Sequence, residues 1–363
     1  MIAVIYDSWL YSDFGKFLKE AFIRFGSIEA IYHFKKSAFP DAEVGATVID
    51  FKRILNAKEK NKLIKLFSLK TIDDVSSYGL KIKLPYKQLT IQEFFEHRFN
   101  EETVIDFKSS FFKPIAKIVN RPIQRGVSSI ANKYFIQDQK IFDESIPFVK
   151  DVTSIETFEI QTELSYLLAL NGHVSAKTRR HLDIAKTEII SEPEKFKALK
   201  EQIEQNGNWY KVQLKKPGNI LFNYYMRKNI DFLLNESLHY SSDNFYIINI
   251  EKNLLANLAI LNSSFTRISL LLHSRNQGNG LRKIQLYEFK EIPVIDVSKL
   301  SQETISELEA VALKLKSTSR FSDGKEKVIN EIDEILIKEY NLHNRIQLTT
   351  GQLYQDIQNI FPF

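Results

Sequence analysis

The chain has no cysteine, which rules out disulfides, thiolate metal sites and a cysteine nucleophile together. No apolar run approaches the length of a membrane span, and the N-terminus lacks the basic start of a signal peptide, so no membrane partner is expected and a cytoplasmic location is. The seven histidines show no zinc-ligand spacing. Gly-x-Ser-x-Gly, Walker and Gly-x-Gly-x-x-Gly turns are all missing, and no internal repeat is evident. The excess of one sign of charge is also small, with 50 Lys and Arg against 45 Asp and Glu. A net charge of +5 is compatible with nucleic acid and does not argue for it unaided.

What is present is apolar and aromatic. With 363 residues, 44% of them hydrophobic, the chain can bury a sizeable core and divide into two domains or more. Its 27 Phe and 15 Tyr exceed what cores usually use, so some rings are available as surface platforms. The N-terminal stretch reads as strand, helix, strand, irregular loop, strand. Ile2–Tyr6 is a short, wholly apolar run of the kind a strand covered on both faces needs. Ser12 or Asp13 can cap the helix that follows. Phe14, Phe17, Leu18, Phe22 and Phe25 recur in it at helical spacing, and Gly26 stops it. Ile28–Phe34 and Gly45–Phe51 read as further strands.

The order of these elements, with Asp7-Ser8-Trp9-Leu10 after the first strand and Phe39-Pro40 in the loop, resembles the back half of the catalytic domain in TaqI-type adenine N6 DNA methyltransferases. In that family the Phe of this loop stacks on an adenine flipped out of the duplex, and the matching residue here is Phe39. The physics suits the role, because an extruded base needs an aromatic face to replace its lost stacking. Taken alone, Phe39 reads first as one of 27 phenylalanines that fill core; the surrounding pattern raises it above that. The family's cofactor-binding Gly-rich turn and its Asn-Pro-Pro-Tyr motif lie upstream of this stretch and occur nowhere in the chain. The resemblance therefore implies a partner, an N-terminal methyltransferase half that binds S-adenosylmethionine, with no catalytic residue in this chain.

Residues 56–105 are polar and Lys-rich and read as a connector. Apolar residues are spaced helically in Glu59–Leu69, and Thr90-Ile-Gln-Glu-Phe-Phe opens a helix with a capping glutamate. Beyond it, Arg125-Gly126, Ser129-Ile130 in place of the usual Thr-Gly, and Asn132-Lys133 resemble the opening of the same family's target-recognition domain. Lys177-Thr-Arg179-Arg180-His181 is the densest basic cluster, for which phosphates are the obvious partner and a solvated face the plain alternative. Short β-type runs separated by Pro217-Gly218 and Ser242-Asp243-Asn244 turns indicate a mainly β subdomain. Leu261-Asn262-Ser263, Gly278-Asn279-Gly280 and Pro293-Val-Ile-Asp296 then match the family's order. Two helices close the chain. Ile305, Leu308, Ala312 and Leu315 line one, and Ile329, Ile332, Leu336 and Tyr340 line the other, with Asp323-Gly324 as the turn between them.

The expected architecture is α/β followed by α+β. A partial Rossmann-like methyltransferase sheet (1–55) leads through the connector (56–105) to a mainly β target-recognition domain (106–300) and a C-terminal helical segment (301–363). Under this reading Arg125, Lys133, Arg179, Arg180, Arg227, Lys228, Asn244 and Arg275 face double-stranded DNA. Two alternatives stay open. One is a DNA specificity module without catalysis. The other is a magnesium-dependent nuclease, because Pro40-Asp41 and Asp50-Phe51-Lys52 spell the Pro-Asp…Asp-x-Lys pattern, with Asp41, Asp50 and Lys52 around one metal.

Overall fold

A computed structural model of the chain describes residues 1–6, 8–11, 13–34, 46–54, 56, 58, 60, 62–69, 86–95, 103–128, 131–161, 165–170, 174–192, 194, 196–205, 209–278 and 281–360. Phe39, Asp41, the Ser129–Ile130 turn and Asn279 lie outside the described residues. The N-terminal part is a five-stranded sheet. β1 (Ile2–Tyr6), β2 (Gly26–Phe34), β3 (Ala46–Arg53), β4 (Leu63–Leu69) and β5 (Lys87–Thr90) lie in the order β1-β3-β2-β4-β5. Only β2 and β4 run parallel. The amphipathic helix Asp13–Phe25 and the short helix Ile91–Phe95 lie over one face, where Trp9, Phe22, Ile31, Ile49, Ile64, Leu66 and Phe94 form a core. Lys19 is buried in that layer and donates to the carbonyls of Leu10 (2.7 Å) and Phe94 (3.0 Å), and burial pulls its amine down to about 7.

Three expectations change here. β1 is not covered on both faces: it is an edge strand of the described sheet, with Ile2 74%, Val4 56% and Tyr6 44% exposed. Its apolar alternation places these three opposite Asp50, Val48 and Ala46, on the face away from the Trp9 core. Second, Leu63–Leu69 is a strand, not a helix. Ile64 and Leu66 face the Trp9 core while Phe67 and Leu69 join Phe34 and Ala46 on the other side. Third, the stretch read as a connector supplies β4, β5 and the 91–95 helix to this sheet. That helix does open as the sequence indicates: the Thr90 amide donates to Glu93 Oε2 (2.7 Å), and the Glu93 amide donates to Thr90 Oγ1 (3.2 Å).

From residue 103 onward the chain builds two further cores. In one, strands Ser145–Val149, Ser165–Leu168, Ile136–Gln137 and Tyr240–Ser241 form a sheet, and Leu182, Ala185, Ile189, Leu199 and Ile203 of helices Ala176–Ser191 and Lys197–Gln205 pack with its Phe148 and Leu167. In the other, strands Phe232–Leu234, Ile220–Asn223, Phe245–Ile248 and Gln124–Arg125 form a sheet with apolar side chains on both faces. This is why Ile-Leu-Phe, Phe-Leu-Leu and Phe-Tyr-Ile-Ile are continuous rather than alternating runs. Helices Leu254–Asn262, Ser264–His273, Gln302–Ser317, Asp323–Asn344 and Thr350–Ile360 share the larger core. The eight residues proposed for the two closing helical faces are all buried, while Asp323 and Gly324 open the second helix instead of forming the turn. Among the described residues no single helix is long and apolar enough to cross a membrane.

The Leu261-Asn262-Ser263 phrase has a structural explanation. Asn262 bonds both the amide (3.0 Å) and the carbonyl (3.1 Å) of Phe232, satisfying the backbone of an edge strand, and Ser263 caps the 264–273 helix. Asn219 clips Ile250 in the same two-bond manner. Gly126 is required for a different reason. A Cβ there would lie 2.2 Å from the Ser242 carbonyl oxygen and 2.4 Å from that of Ser241, so only glycine lets the Gln124–Arg125 strand close against this turn.

Candidate nucleic-acid interface

Tyr224 and Tyr225 are the centre around which most of the proposed DNA-facing residues collect. Tyr225–Met226 pairs with Leu281–Lys283, which pairs in turn with Arg275–Gly278, so Tyr225, Lys283 and Arg275 sit side by side across three strands. Arg125 comes from the neighbouring sheet, opposite Tyr246. Its Nε donates to the Asp243 carbonyl (3.0 Å), its Nη2 bonds the Tyr224 hydroxyl and lies 3.5 Å from Asp243 Oδ2, and the guanidinium stands 4.9 Å from the Tyr224 ring centre. The Arg125 side chain is still 48% exposed. Asn244 adjoins it, its carbonyl accepting the Tyr224 amide at 3.4 Å. Arg227 and Lys228 follow the strand and are exposed.

The aromatic base of this cluster is rigid. Tyr224 stacks on Tyr246 at 5.1 Å, Tyr246 meets Phe289 at 4.9 Å, and the Tyr246 hydroxyl donates to the Ile284 carbonyl (2.8 Å). Burial pushes the Tyr224 phenol up to about 12, against the pull of the Arg125 cation, so it stays protonated throughout the neutral range.

The remaining proposed residues are placed differently. Arg275 spends its charge internally: Nε and Nη2 donate to Glu288 Oε1 at 2.9 and 2.6 Å, and the side chain is 13% exposed. Lys133 is exposed but pairs with Glu188 at 2.8 Å, and the Glu188 hydrogen bond raises its pKa. Arg179 and Arg180 are exposed on the first turns of the 176–191 helix. Beneath them Glu144 accepts from the Ser175 amide (2.6 Å) and the Thr178 hydroxyl (2.7 Å). Burial opposes its charge, but these donors prevail and hold the carboxyl at about 2. Arg179 and Arg180 therefore sit on the 176–191 helix, and Lys133, on the short 132–135 helix, pairs with it, on elements other than those that bear the tyrosine pair.

Asp50 and Lys52 share one face of β3, opposite Ala30 and Ser27. Among the described residues no group of three or more His, Asp or Glu side chains is arranged to hold a metal ion. Tyr224, Tyr225 and Lys283 are not singled out by the sequence. The adjoining Arg227-Lys228 pair is the only signal near the tyrosines, and nothing local marks Lys283.

Residues 151–337 match the family described as the Type II methyltransferase M.Eco57I, C-terminal domain. The Type II methyltransferase M.AccI of Acinetobacter calcoaceticus is 22% identical over 369 residues, covering 93% of this chain and 66% of that protein. Among solved structures, the Type IIL restriction–modification enzyme MmeI in complex with DNA aligns with a TM-score of 0.57 and 11% identity, over 100% of this chain and 50% of that one. The type IIG restriction endonuclease BpuSI aligns at a TM-score of 0.40 and 12% identity, over 94% and 47%. The chain thus spans about two thirds or less of the length of each of these proteins.

Proposed function

The chain belongs to the family of the M.Eco57I methyltransferase C-terminal domain, and on that premise we propose that it supplies target recognition and target-adenine binding to an adenine-specific DNA methyltransferase of a restriction–modification system. The observation that carries this reading is the convergence of Arg125, Arg227, Lys228 and Asn244 on the strands and loops around Tyr224 and Tyr225. Exposed cations over a fixed aromatic base suit a duplex, whose backbone contacts set register before any base is read. The DNA in the MmeI complex agrees with this assignment. In this reading residues 106–300 are the recognition domain, the five-stranded sheet is the end of a Rossmann-like catalytic domain, and Phe39 is the ring that stacks on the flipped adenine.

Methyl transfer belongs to an N-terminal half. Such enzymes use S-adenosylmethionine as donor; among the described residues the helix-covered face of the first sheet is filled by Trp9, Phe22, Ile31, Ile49 and Leu66, and the sequence carries neither the Gly-rich turn nor Asn-Pro-Pro-Tyr, which supports placing the cofactor in that half. We assign the edge of β1, which pairs with no second strand among the described residues, to a strand of that half, since an edge beside the exposed Ile2, Val4 and Tyr6 invites pairing. The isolated chain is expected to give no heat of binding with S-adenosylmethionine in calorimetry. A measurable stoichiometric signal would overturn the division of labour.

The DNA assignment has its own test. Charge reversal at Arg227 and Lys228 together is expected to weaken binding of the full chain to a mixed-sequence duplex. The salt dependence should also flatten, by roughly 0.9 in slope for each phosphate no longer neutralised. An unchanged slope would return both residues to a merely solvated face.

A further inference from the structure

We propose that Lys283, held against the rings of Tyr224 and Tyr225, is a fixed phosphate contact on the recognition face, an inference that rests on the DNA-binding reading above. The Lys283 ammonium lies 5.0 Å from the Tyr225 ring centre and 5.6 Å from that of Tyr224, and the two rings are 4.6 Å apart, tilted by 38°. Tyr225 is the residue directly opposite it on one neighbouring strand and is 39% exposed; Arg275 is opposite on the other. Arg275 is neutralised by Glu288, and Arg125 is bracketed by Asp243. No carboxylate among the described residues pairs with Lys283, so it is a cation of this three-stranded sheet whose charge is left for a partner.

A lysine on a flexible stem usually samples many positions at a surface. Here two ring faces attract the ammonium, and Tyr224 is itself immobilised by Arg125 and by stacking on Tyr246. An ammonium is a compact point charge with three donors and no planar fork. It therefore suits a single phosphate oxygen better than the paired acceptors of a base edge. The exposed Arg227 and Lys228, two and three residues beyond Tyr225, continue the positive surface along which a phosphate backbone runs. Tyr225 is accordingly a positioning residue: its ring aims the lysine.

The test measures anisotropy of a labelled mixed-sequence duplex against the full chain over a range of salt. Lys283→Met is expected to lower affinity about tenfold at low salt and to reduce the salt slope by roughly 0.9, the share of one neutralised phosphate, with an unchanged melting temperature. Lys283→Arg is expected to restore the slope. Tyr225→Leu should weaken binding while keeping most of the slope, because the charge remains but is no longer aimed. Wild-type binding with an unaltered slope in Lys283→Met overturns this inference alone. Absence of any salt-dependent binding by the wild-type chain overturns the DNA reading and this inference together. Equal retention of polyglutamate, with the same dependence on Lys283, would assign the contact to an acidic protein surface and overturn it as well.

Discussion

Asp231→Ala is expected to destabilise the C-terminal part of the chain by about 3–5 kcal/mol, the cost of leaving buried charge without its counter-ion. Asp231 immediately precedes the Phe232–Leu234 strand and receives both Arg320 Nε (2.9 Å) and Lys325 Nζ (2.6 Å), and all three side chains are almost wholly buried. Arg320 Nη1 also donates to the carbonyls of Val152 (2.9 Å) and Ile155 (2.6 Å), so one guanidinium ties the 151–160 loop, the edge strand and the connection between two long helices. Alanine at 231 would leave two buried cations beside Phe158 and Asn229 with no carboxylate paired to them among the described residues. Urea unfolding of the full chain, followed by far-UV dichroism, reads the effect as a lower midpoint of the transition. Arg320→Met should cost a similar amount, whereas replacing the triad by well-packed apolar residues should cost far less, since a buried ion network contributes little net stability once its desolvation is counted. A midpoint shift worth under about 1 kcal/mol in Asp231→Ala would mean that water reaches the site and screens the two cations.

How much of this could be read from the sequence depends on the range of the interactions concerned. The Thr90–Glu93 capping box, the strands read at 28–34 and 45–51, which form as Gly26–Phe34 and Ala46–Arg53, and the buried faces of the two closing helices follow from residues within a few positions of one another. Leu63–Leu69 does not. Apolar residues at 63, 64, 66, 67 and 69 do not settle the period, and the pairing with β2 on one side and β5 on the other decides for a strand. The same limit governs the interface. Arg275 resembles a DNA contact until Glu288, thirteen residues later, is folded onto it. Lys283 resembles any surface lysine until a strand some sixty residues earlier sets two rings against it. A cation acquires its role from what neutralises or orients it, and those partners are non-local. The family phrases carry information of another kind. In this chain Asn219 and Asn262, both from phrases that carry the resemblance, each close a particular backbone gap, so those phrases bear on the scaffold rather than on the DNA-reading surface.

Asp333→Asn is expected to flatten the pH dependence of stability and to raise stability above neutrality. Asp333 lies on the 323–344 helix, fully buried against the first turn of the 264–273 helix. Its Oδ1 accepts the Ser264 amide at 2.8 Å, while Oδ2 has no hydrogen-bond partner. Burial lifts its carboxyl to about 7; the Ser264 amide and the Arg267 cation pull the other way, and Glu326 adds to the rise. The ordinary value is 3.8, so the folded state holds a proton that the unfolded chain gives up. The sign follows directly. The contribution is fully present below about pH 4, is lost as pH rises through the folded value, and is exhausted above neutrality, a total of roughly 4 kcal/mol for a shift of this size. Asparagine keeps an acceptor for the Ser264 amide, fills the same volume and carries no charge to desolvate. The variant should therefore be about as stable as the wild type at acidic pH and more stable at pH above about 7, by roughly 2–4 kcal/mol. Urea midpoints of both proteins across this range give the measurement. If the wild-type decline between acid and neutral pH persists undiminished in the variant, another group carries it, and the buried carboxyl must find a partner for Oδ2 that keeps it ionised.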